Sequence, residues 1–136
     1  MDILKRFKKI AHYFRILKQI NLGPTRNIDL HQFMEDIESS EPDREIRSTI
    51  LRAFNAAKFI MTMEEQEQDE MFEFYNQYLE EWATILTDKK DTNRGSTRLK
   101  IIQVETYNSN QVNTIEMYVQ EMTTHLHKLL FQQCHM

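Results

Sequence analysis

Apolar residues in this chain recur at three- and four-residue steps, the spacing that lines one face of an α-helix. Plotted at about 100° per residue, Ile46, Ile50, Ala53, Phe54, Ala57, Ile60 and Met61 fall on one arc, with Arg44, Arg52 and Asn55 outside it. Met71, Phe74, Tyr75, Tyr78, Leu79, Trp82, Ile85 and Leu86 form a wider arc, which predicts contact with more than one neighbouring helix. Between the two, the acidic run Glu64–Glu65–Gln66–Glu67–Gln68–Asp69–Glu70 interrupts the stripe for a turn or more. An unbroken helix of roughly 45 residues would span about 65 Å, longer than a compact domain of this size. A helical hairpin turning around residues 62–70 is therefore expected. Ser39 or Ser40 is the expected N-cap of its first arm, with Pro42 in the first turn and Asp43 and Glu45 near the positive helix end.

Similar patterns flank this hairpin. Over residues 2–22, Ile3, Phe7, Ile10, Phe14 and Leu17 make an apolar face, widened by Leu4 and Ala11, while Lys5, Lys8, Lys9, His12, Arg15 and Gln19 lie opposite. Gly23–Pro24 ends this basic amphipathic helix. Asn27 or Asp29 is expected to open a short second helix, with Leu30, Phe33, Met34 and Ile37 on one side and Gln32, Glu35 and Asp36 outward. Toward the C-terminus, Val112, Ile115, Tyr118, Val119, Met122, Leu126, Leu129 and Leu130 alternate three and four, as in a bundle seam, with Phe131 off the arc. Leu99–Tyr107 is rich in β-branched residues, but no second strand-like run exists to pair with it, so it is read as helix. Residues 87–98 read as a mobile polar loop. The prediction is an all-α bundle of four to six helices forming one domain over residues 1–136.

Composition supports that class. Two glycines and two prolines in 136 residues are too few for the turns of a sandwich or barrel. Cys134 is the lone cysteine, which excludes an internal disulfide and suits a reducing, cytoplasmic setting. No apolar run approaches transmembrane length, and Lys8, Lys9, Arg15 and Lys18 interrupt any secretory leader.

The net charge of −4 conceals a sharp division. Residues 1–26 hold seven Lys/Arg against Asp2 alone, for +6. Residues 27–86 hold fifteen Asp/Glu against four Lys/Arg, for −11, and the remainder carries +1. Blocks of this kind bear on partners and internal docking more than on fold.

Chemistry is harder to find. No His-Glu-x-x-His occurs, and His125 and His127 would point about 200° apart on a helix, so neither a metal nor a cofactor is expected. Cys134 is poorly placed to preorganise a thiolate, and there is no Gly-x-Ser-x-Gly elbow. Gly23 and Gly95 are isolated, unlike the glycine-rich turns that cradle phosphate. The acidic run is contiguous and hydrophilic, which suits a solvated face better than a catalytic pair. A non-enzymatic interaction or regulatory protein is the resulting expectation, binding a protein partner, acidic ones included, through helix faces. Lys5, Lys8, Lys9, His12 and Arg15 are the candidate contact residues. Alternatives for the same helix are an anionic membrane surface and, less well supported, nucleic acid. The C-terminal seam and the wide arc around Trp82 add the expectation of a homodimer. Changing Lys5, Lys8, Lys9 and Arg15 together to glutamine is expected to spare folding and weaken binding.

Overall fold

The computed structural model describes residues 2–88 and 110–134, without the side chains at 110–113 and 133–134. Five helices pack together with no strand among these residues: α1 (Ile3–Leu22), α2 (Arg26–Ser40), α3 (Arg44–Met61), α4 (Glu65–Thr87) and α5 (Asn110–Cys134). The expected loop over 87–98 falls almost wholly outside them, and the helix read at 99–107 entirely so.

Local chemistry sets the helix ends. The Asp2 carboxylate caps α1 by accepting from the Leu4 backbone N–H at 3.2 Å. At the other end Gly23 keeps a negative φ of −83° with an extended ψ of 162°. The break therefore comes from Pro24, which disfavours helical backbone in the residue before it, and not from a left-handed glycine. α2 follows Thr25, whose hydroxyl donates to Asp29 at 2.6 Å and accepts from no backbone N–H of the helix end. Ser39 and Ser40 do not cap α3. They lie in the last turn of α2 and donate back to the Asp36 carbonyl. The cap is Asp43, whose carboxylate accepts from Glu45 and Ile46 N–H at 2.9 and 3.4 Å, so Pro42 stands just before the helix and not in its first turn. A carboxylate at that position answers both the free N–H groups and the helix dipole, which a serine hydroxyl answers less well.

The hairpin turns at residues 62–64, at the start of the acidic run, whose first residue, Glu64, is the N-cap of α4. That run forms the opening turns of α4, where negative charge suits the helix end. Gln68 is buried within it and donates to the Met61 and Met63 carbonyls at 3.3 and 2.9 Å, closing the turn from inside. The two arms share fewer contacts than their adjacency suggests: α4 lies chiefly along α1. The pairs Asn21–Asn76 and Lys18–Glu80 show that those two helices run antiparallel.

Trp82 sits at the centre, fully buried, with its ring 5.9 Å from Phe14, 6.2 Å from Tyr75 and 5.9 Å from Tyr78. Tyr75 donates to the Ala53 carbonyl at 2.9 Å, tying α4 to α3, and burial raises its phenol pKa far above the ordinary value. α5 closes the bundle against α3 and α4 through Ile115, Val119, Met122, Leu126, Leu129 and Leu130. Val112, read as part of that seam, lies outside the described side chains. Phe131 is 54% exposed, consistent with its position off the arc.

Candidate functional site

The water-facing side of α1 is built by the burial of its opposite side. Phe7, Ile10, Ala11, Phe14 and Leu17 are at most 1% exposed, which fixes the helix rotation. Lys5, Lys8, His12, Arg15 and Gln19 consequently stand in one stripe on the surface. Lys5 and Lys8 have no ion-pair partner among the described residues. The His12 ring lies 6.1 Å from that of Tyr13.

Lys9 does not belong to the free group. Its ammonium donates to Glu41 Oε1 at 2.9 Å, and the Glu41 side chain is completely shielded from water. Tyr13 donates to the same oxygen at 2.9 Å, while Glu41 Oε2 accepts the Asp43 backbone N–H at 2.9 Å. Burial would raise the Glu41 carboxyl, but hydrogen bonds from Lys9, the Asp43 N–H and Tyr13 outweigh it and hold the group below its ordinary value. Burial and the neighbouring carboxylate push the Tyr13 phenol up to about 12. Three residues before Lys9 in α1, Arg6 Nε meets Asp43 at 2.9 Å. The linker between α2 and α3 is thus clamped onto α1 by two ion pairs, and Arg47 adds a 2.6 Å bond to the Glu41 carbonyl. A buried glutamate beside Pro42 gave no periodic signal in the sequence, because a linker residue belongs to no helix face.

On the other flank, Arg15 and Lys18 converge on Glu80 of α4 at 3.6 and 3.2 Å. Burial raises the Glu80 carboxyl less than these two cations lower it. At the far end of α1, Arg26 donates to the Asn21 carbonyl and Gln68, pairs with Asp69 at 2.9 Å and lies 4.8 Å over the Phe72 ring. It stands beside an open cleft of about 760 Å³ between the two hairpin turns, whose rim includes the exposed Leu22 and Ile28.

A second polar cluster joins α3 and α5. His125 Nε2 lies 2.7 Å from the Thr49 hydroxyl and 3.5 Å from Glu45 Oε1, with Arg52 and Glu121 3.7 Å apart beside it. Thr49 already donates to the Glu45 carbonyl at 2.8 Å, so its oxygen is left to accept from the imidazole. Burial, then the Arg52 charge, lowers the His125 pKa and keeps the ring neutral. The Thr49 side chain is inside the protein, so this arrangement fastens two helices together. Among the described residues no three or more His, Cys, Asp or Glu side chains converge as a metal set would. No helix there is long and apolar enough to cross a membrane.

Comparison with known proteins adds no relative: no family model, curated protein or solved structure matches this chain.

Proposed function

We propose that this is a small, non-enzymatic interaction protein that holds an acidic surface of a protein partner against the basic stripe of α1. The observation that carries this reading is the contrast along that helix. Arg6, Lys9, Arg15 and Lys18 are drawn into ion pairs with the rest of the fold, whereas Lys5 and Lys8 stand in water on a rigidly packed helix. Such preorganised charge steers an oppositely charged surface and selects its register. His12 and Arg15 extend the stripe to about 15 Å. A cytoplasmic setting, suggested by the lone Cys134, belongs to the same proposal.

A membrane-surface role is less well supported, because interfacial insertion needs the apolar face of the helix, and Phe7 and Phe14 are inside the core. Binding of the intact chain to poly-L-glutamate, followed by fluorescence anisotropy, tests the proposal. Lys5→Gln, Lys8→Gln and Arg15→Gln together are expected to weaken it by about tenfold while leaving the melting temperature unchanged. Binding unaffected by the triple substitution overturns the reading. Flotation with phosphatidylserine-containing vesicles, lost in the same variant, would move the membrane role to first place.

A further inference from the structure

We infer that the acidic surface matched to the α1 stripe is carried by a second copy of this chain, which binds through the paired faces of α1 and α4. The inference rests on reading the stripe as the binding face.

The two helices run antiparallel, so their opposite charges end up at opposite ends of one surface. Lys5 and Lys8 lie toward one end, and the exposed Glu70 and Glu73 of α4 toward the other. Arg15 and Lys18, bound to Glu80, mark the middle. Glu73, Gln77 and Glu80 share a shallow groove with Lys18 and Leu22, and Glu80 meets Arg15 of the stripe at 3.6 Å, which puts these α4 carboxylates beside the α1 stripe.

The spacing is matched. Lys8 precedes Arg15 by seven residues and Glu73 precedes Glu80 by seven, so each lies about 10 Å from the midpoint, in opposite directions. Lys5 and Glu70 are each ten residues from the same midpoint, about 15 Å along the helix. A twofold axis lying in this face, at right angles to the line from Lys8 to Glu73, lays the basic end of each copy on the acidic end of the other. Every contact then occurs twice, as a closed isologous dimer requires. Neither Lys5, Lys8, Glu70 nor Glu73 has an ion-pair partner within its own chain among the described residues. Two helices about 30 Å long and together about 20 Å wide offer on the order of 600 Å² per copy, the low end for a specific complex. The dimer is accordingly reversible and sensitive to salt.

Sedimentation equilibrium of the intact chain tests this, with circular dichroism confirming that each variant keeps its helicity. At about 50 mM salt the wild type is expected to dimerise, with Kd rising about tenfold or more at about 500 mM. Lys5→Glu with Lys8→Glu, and Glu70→Lys with Glu73→Lys, should each be monomeric at loadings where the wild type is dimeric. An equimolar mixture of the two variants should recover a dimer, because one set of contacts keeps its native sign and the other is restored with reversed sign. A wild type that stays monomeric at about 100 µM and low salt overturns the inference, as does a variant that still dimerises or a mixture that does not recover. A monomeric wild type that still binds poly-L-glutamate through Lys5 and Lys8 would sink the self-association while leaving the reading of the α1 stripe intact.

Discussion

Lys9 and Glu41 form an ion pair in which one partner is wholly buried and the other half in water, 2.9 Å apart and 32 residues apart in sequence. The pair ties the first helix to the linker before α3, and it divides the basic residues of α1 into structural and surface groups. Several consequences can be measured.

Glu41→Ala should destabilise the fold by about 2–4 kcal/mol, since Lys9, Tyr13 and the Asp43 N–H all lose their acceptor. Lys5→Gln and Lys8→Gln should each stay within about 0.5 kcal/mol of the parent. Lys9→Gln should fall between these, so the fourfold glutamine change that includes Lys9 does not leave stability intact. Urea denaturation of the four variants orders them.

Phe7→Ala and Phe14→Ala should each cost about 3–5 kcal/mol, because both rings are completely buried and would leave cavities. Thermal melts read the loss. A variant melting like the parent would mean that α1 detaches from the core.

Acid should destabilise the protein over two pH ranges. The folded pKa of His125 lies below its ordinary 6.5, so the unfolded chain takes up that proton first, and stability falls as pH drops below about 6.5. The folded pKa values of Glu41 and Asp43 lie below 4.5 and 3.8, so the stability they contribute is present above those values and lost as pH falls through the folded ones. His125→Gln should flatten the loss over the first range and Glu41→Gln part of that over the second, in denaturation midpoints followed against pH.

Trp82→Phe should cost less than Phe14→Ala, about 1–2 kcal/mol. The indole N–H is buried without a hydrogen-bond partner among the described residues, so the substitution removes an unsatisfied donor along with the lost volume. Urea midpoints of the two variants compare them directly.

The helical class, the hairpin, the buried faces of α1, α3 and α4 and the outward stripe from Lys5 to Arg15 were all legible in the sequence. Each depends on the three-and-four spacing of apolar residues, and that periodicity is a local property of the chain. Other features required the fold. The α3 cap moved from Ser39 or Ser40 to Asp43 because the carboxylate also meets Arg6, a residue 37 positions away. Gln68, inside a run that reads as solvated, is buried because the chain reverses just before it and leaves two carbonyls for its amide to reach. The partner of α4 is α1 more than its hairpin neighbour, a choice made by the aromatic cluster around Trp82 and by Asn21 meeting Asn76. The separation of Lys9 from Lys5 and Lys8 was invisible for the same reason. All three sit on one polar helix face, and only the placement of Glu41 beside that face decides which lysine it binds.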